Sequence, residues 1–99
     1  MSVILELSIF PMDKGDHFSP YVARAVDTIR KSGLAYSFGP MGTCIEGDYD
    51  EVMKVARECF EELGRDSERV YMNMKLDWRK GRTDGLTRKV RSVEDKLPS

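Results

Sequence analysis

The chain predicts an α+β sandwich of βαββαβ order, with two helices on one face of an antiparallel sheet and a further helix near its C-terminal end. Three observations carry this. Residues 2–10 alternate with period two, and residues 19–33 and 48–64 repeat apolar side chains at helical spacing and finish on a glycine. Between these helical segments, two short apolar runs meet around Pro40 and Gly42.

In the first strand Val3, Leu5, Leu7 and Ile9 form one strongly apolar face, while Ile4, Glu6, Ser8 and Phe10 form a mixed one. Pro11 ends the strand and Met12 to Phe18 is a polar loop. Ser19-Pro20 is the arrangement of an N-cap followed by proline in the first turn. Val22, Ala25, Val26 and Ile29 then mark a helix that Gly33 stops.

Ala35 to Met41 and Thr43 to Glu46 read as hairpin strands, since Pro40 presets φ for a turn and Gly42 tolerates positive φ. Asp48 and Glu51 stand at capping-box spacing and open a second helix, whose stripe runs through Val52, Val55, Ala56, Cys59, Phe60 and Leu63 to Gly64. In a fourth strand, Val70, Met72, Met74, Leu76 and Trp78 alternate with Tyr71, Asn73, Lys75 and Asp77. Leu86, Val90, Val93 and Leu97 fall at i, i+4, i+7 and i+11, the spacing of a third helix. Two right-handed crossovers make this order the ferredoxin-like sandwich, with a core face of Val3, Leu5, Leu7, Ile9, Val70, Met72, Met74 and Leu76.

A chain of 99 residues suits one domain spanning residues 1–99. Its 40% apolar and 33% charged content, at net charge −1, offers nucleic acid no global attraction. No apolar run is long enough to cross a bilayer and no signal-peptide pattern opens the sequence, so a cytoplasmic protein without a membrane partner is expected. Cys44 and Cys59 read as free thiols. Asp13, Asp16 and His17 match no standard metal-site spacing, and neither a metal nor a cofactor is expected. The sheet face opposite the helices is too apolar for simple solvation, and the third helix or self-association would cover it.

Five segments, Glu6 to Pro11, Ser32 to Tyr36, Pro40 to Gly47, Lys75 to Arg79 and Lys89 to Leu97, together make the chain resemble the small thiamine-binding-protein family. The resemblance runs from the first strand to the last helix. It departs at Trp78, where members commonly carry another charged residue. It implies a ferredoxin-like subunit, a homotetramer, and binding of thiamine or its hydroxymethylpyrimidine half.

A pyrimidine with an exocyclic amine asks for a carboxylate or backbone groups at its edge and a flat apolar wall. Glu46 is expected to supply the carboxylate, Thr43 a hydroxyl, Gly42 a backbone N–H, and Tyr36, Phe38 or Phe10 the wall. Glu6, Asp48 or Asp50 would complement the thiazolium charge. Each has an ordinary structural alternative: Glu46 as a solvated strand end or ion-pair partner, Thr43 as a good strand residue, Tyr36 and Phe38 as core or interface.

Ser19 is explained as a cap, and no catalytic set is visible. The leading expectation is therefore a non-catalytic small-molecule binder, a carrier or sensor. The alternatives are a small enzyme on the same fold, for which the Met12 to Phe18 loop lacks an Arg, and a ligand-free tetrameric scaffold. An RNA-binding sheet would need more exposed aromatics than Tyr71.

Overall fold

The computed structural model describes residues 2–98. Its elements are β1 (Ser2–Pro11), α1 (Ser19–Lys31), β2 (Ala35–Gly39), β3 (Gly42–Asp48), α2 (Tyr49–Gly64), β4 (Val70–Trp78) and α3 (Gly85–Glu94). The four strands form one sheet in the order β2-β3-β1-β4, every neighbouring pair antiparallel, which is the ferredoxin-like α+β arrangement.

Strand β1 is central because it alone is apolar enough to be covered along most of its length. Its register places Leu5 opposite Ile45 on one side and Leu76 on the other, and Leu7 opposite Thr43 and Met74. Residues directly opposed in an antiparallel pair share a face. The helix face therefore carries Val3, Leu5, Leu7 and Ile9 with Thr43, Ile45, Tyr36 and Phe38, and the opposite face carries Ile4, Glu6, Ser8 and Phe10 with Cys44 and Glu46. Ala25 and Ile29 of α1 and Val52, Val55, Ala56, Cys59 and Leu63 of α2 close the core over the first of these faces.

Two expectations are corrected. On β4, Val70 and Met72 pack against the core, but Met74 and Leu76 are 42% and 43% exposed. β4 is an edge strand and α2 lies mainly over β1 and β3, so the outer half of β4 keeps an apolar face without a cover inside the subunit. Ser19 is not the cap of α1: Phe18 takes the N-cap position, its carbonyl accepting from the N–H groups of Tyr21 and Val22, and Ser19 with Pro20 begins the first turn. Of the two covers expected for the open face, α3 supplies part, packing near β2 and β3 and leaving its own Val90 and Val93, and Leu97 beyond it, exposed.

The capping box of α2 forms as expected, with Glu51 Oε1 accepting from the Asp48 N–H at 3.1 Å. Leu5→Ala is expected to cost about 2–5 kcal/mol, the range for a large-to-small change in a packed core. Lys75→Ala, on the opposite face, removes only the exposed ion pair to Glu6 and is expected to cost under about 1 kcal/mol. Urea denaturation of the two variants checks the assignment of faces.

Candidate functional site

Helix α1 packs on α2 and β1 and meets the edge strand β2 at fewer points, leaving a gap between the helix and the β2–β3 hairpin. A cavity of about 730 Å³ opens in this gap. Leu7, Ile9 and Thr43 form its floor, Val22, Val26 and Ile29 of α1 one wall, and Phe38 with the Gly39 to Gly42 turn the other. Small residues keep it open: Ala23 and Ala25 on the helix, Gly39 and Gly42 on the hairpin. At Gly42, φ is +156° and a Cβ would stand 3.0 Å from the Leu7 carbonyl oxygen, so only glycine allows the hairpin to lie this close to β1.

Thr43 is the polar group set into the floor. It is 3% exposed and is the buried polar residue of the lining. Phe18 lies at one end of the cavity, its ring stacked on Phe10 with centroids 5.4 Å apart. Phe10 stacks in turn on Tyr71 at 5.6 Å, and both of these belong to the sheet face opposite Thr43.

The ionisable side chains lining the cavity are Asp27 and Arg30, on the last two turns of α1. The Asp27 carboxylate accepts from Arg30 Nε at 3.1 Å and from a second guanidinium nitrogen, and pairs with Lys31 Nζ at 2.9 Å. The Arg30 hydrogen bonds, followed by that of Lys31, hold Asp27 below its ordinary value. Both cations also stand where a helix C-terminus favours positive charge.

Of the residues expected in a site, Thr43, Gly42 and Phe38 line this cavity, with Phe10 at its end. Tyr36 shares their sheet face but lies beyond the lining, exposed on β2. Glu46 needs a correction. Three residues along a strand reverse the side-chain direction, so Glu46 points away from Thr43 to the opposite face.

There, at 8% exposure, the Glu46 carboxylate accepts from the N–H of Gly85 at 2.7 Å, the N–H of Leu86 at 3.1 Å and the Ser2 hydroxyl at 2.8 Å. It caps the N-terminus of α3. Burial raises its pKa, but the Gly85, Leu86 and Ser2 hydrogen bonds and the Arg82 charge outweigh this and hold it below the ordinary value. Gly85 lets the contact form closely: a Cβ there would come within 2.7 Å of Ile4 Cδ1 and 3.1 Å of Glu46 Oε2, and those side-chain ends would have to shift.

The other acids are also placed elsewhere. Glu6 pairs with Lys75 at 3.0 Å on the Glu46 side of the sheet, while Asp48 and Asp50 begin α2. Asp77 binds Lys89 and Arg82, each at 2.7 Å, and its pKa falls to about 2 under the Lys89 and then the Arg82 hydrogen bond. Asp13 accepts from the Glu68 N–H at 2.8 Å, and both cysteines are free, Cys59 with its thiol pushed up to about 12 by burial. Sequence reasoning missed the α1 contribution: Val22, Val26, Asp27 and Arg30 look like an ordinary amphipathic helix, and the available signal was the small Ala23 and Ala25 among them.

Comparison with known proteins places this geometry among relatives. A family model described as "Thiamine-binding protein" matches residues 5–94. A UPF0045 protein of Mycobacterium tuberculosis is 39% identical over 95 residues, covering 95% of this chain and 93% of the relative. Another from Methanocaldococcus jannaschii is 35% identical over 91 residues, covering 92% and 91%; its crystal structure superposes with a TM-score of 0.89 over 95% of this chain and 97% of that one. A candidate thiamine biosynthesis/salvage protein of Thermotoga maritima, 23% identical, shares the fold at a TM-score of 0.82 over 94% and 99% of the two chains.

The Glu46 cap predicts that Glu46→Gln loosens α3 while the core holds. The expected cost is about 1.5–3 kcal/mol, the range for hydrogen bonds to a charged group, and loss of amide protection confined to α3 in hydrogen-exchange NMR would check it. The pH dependence has one sign. Glu46 and Asp77 are both depressed in the folded state, so the stability they contribute is complete above their ordinary values of 4.5 and 3.8 and is lost on acidification, for Asp77 as pH falls towards about 2. Protection in α3 should therefore fade from about pH 4.5 downward before the β1 core opens.

Proposed function

The chain belongs to the thiamine-binding-protein family, and from that premise we propose that it binds thiamine or its hydroxymethylpyrimidine moiety, without catalysis, in the cavity between α1 and the β2–β3 hairpin. The observation that carries this reading is the apolar cavity of about 730 Å³ with the Thr43 hydroxyl as a polar group of its floor, a size within the ordinary range for small-molecule sites. Phe18 and Phe38 provide flat surface for a ring, and Thr43 is able both to donate to a ring nitrogen and to accept from an exocyclic amine. A carrier or sensor role fits the lining, whose two ionisable side chains neutralise each other and leave no poised acid–base pair.

A homotetramer accompanies this reading, supported by two separate exposed apolar surfaces. One is the Val90, Val93 and Leu97 stripe at and beyond the end of α3. The other joins Met74, Leu76 and Trp78 of β4 to Tyr49 and Phe60 of α2, on the flank of that helix opposite Glu62, which pairs with Arg24 of α1. Two distinct self-complementary patches are what a dimer of dimers requires.

Calorimetric titration with thiamine, hydroxymethylpyrimidine and an unrelated pyrimidine tests the ligand. Saturable heat with one of the first two and none with the third is expected, and no binding of either at millimolar concentration sinks the reading. Thr43→Val should weaken binding by about 2- to 10-fold with the fold intact, the worth of one neutral hydrogen bond. Light scattering is expected to show four subunits, and a chain ending at Asp84 a smaller assembly.

A further inference from the structure

We propose that Met41, in the turn between β2 and β3, is a site of reversible sulfur oxidation, and that its conversion to the sulfoxide by a hydroperoxide weakens ligand binding in the cavity it borders. The choice of site stands on the geometry of the chain's sulfur atoms. The effect on binding rests on the reading of the cavity as the ligand site.

Met41 is 85% exposed, against 46% for Met12 and 42% for Met74, while Met53 and Met72 pack against the core. It stands in the two-residue turn between Gly39 and Gly42, which pair across the hairpin and carry no side chain to screen its thioether. The thiols do not compete for the oxidant. Burial pushes the Cys59 thiol up to about 12, and burial with the Glu6 charge raises that of Cys44, so neither readily presents the thiolate that reacts with peroxide. A thioether needs no deprotonation.

In the step, a sulfur lone pair of Met41 attacks the terminal oxygen of the hydroperoxide, so that an S–O bond forms as the O–O bond breaks. The proton on that oxygen passes to the departing one, which leaves as water or an alcohol; the thioether gives up two electrons and the peroxide gains them. A thiol-dependent sulfoxide reductase reverses the change, releasing the oxygen as water and oxidising two thiols to a disulfide. Oxidation sets a polar S–O group into a lip otherwise formed by Phe38, Gly39 and Pro40. Closing that group against a bound ring strips its hydration without returning a hydrogen bond. The turn has little room to withdraw it, since Pro40 locks φ and Gly42 lies close against the Leu7 carbonyl.

Peroxide treatment of the full chain, followed by peptide mass spectrometry, reads oxidation site by site. Met41 is expected to oxidise at least about tenfold faster than Met53 and Met72, with Met12 and Met74 between them. Calorimetric titration with hydroxymethylpyrimidine then compares untreated, oxidised and reductase-treated protein. An affinity about tenfold lower after oxidation, and restored by the reductase, is expected. In Met41→Leu, whatever affinity the variant has should be unchanged by peroxide, which separates Met41 from the other methionines. Oxidation of Met41 no faster than of Met53 and Met72, or an affinity indifferent to its oxidation, overturns the inference while the proposed function stands. Untreated protein that does not bind the probe overturns the proposed function and the effect on binding together, and the mass spectra alone then decide whether Met41 is the oxidised site.

Discussion

Strand β1, locked between β3 and β4 in a single register, governs the rest of the molecule. Leu5 and Ile45 on the helix face are completely buried, and sliding the strand by one residue would move that apolar set into the layer holding Glu6 and Ser8. Burying side chains of this size contributes about 1.5–3 kcal/mol each, enough for a few of them to outweigh any single polar preference. Once that register holds, Thr43 faces α1 and Glu46 faces α3. Cavity and helix anchor thus lie on opposite sides of the same short strand.

The cavity is the counterpart of incomplete coverage. The core closes fully where α2 crosses β1 and β3, and it stays open between α1 and the turn that joins β2 to β3. Such a gap sacrifices dispersion contacts that a larger side chain at Ala23 or Gly39 would regain. Its walls combine rigid strand floor with helix, so the Thr43 hydroxyl is held in place before any ligand arrives, which lowers the ordering cost of binding.

On the other side of the sheet a buried carboxylate replaces an apolar contact. Glu46 is tolerated because three donors surround it, two of them N–H groups that the start of α3 would otherwise leave unpaired. Arg82 and Lys89 gather on Asp77 beside it. The anchor is therefore electrostatic, and most of the apolar stripe of α3 stays free for contact with another surface.

The sequence by itself determined the element order, the ferredoxin-like class, the α2 capping box and the apolar face of β1, since each follows from local periodicity or a short spacing within one element. It also held an unused signal: Thr43 and Glu46 are separated by an odd number of residues in a strand, which already sends them to opposite faces. What only the tertiary structure decided was how far each helix reaches. Met74 and Leu76 have the pattern of core residues yet are exposed because α2 covers only the first part of β4, and Val22, Asp27 and Arg30 border a cavity because α1 leaves a gap beside the β2–β3 turn. Periodicity specifies which face of an element is apolar; whether that face is covered depends on the position of another element far away in the chain, and no local spacing encodes it.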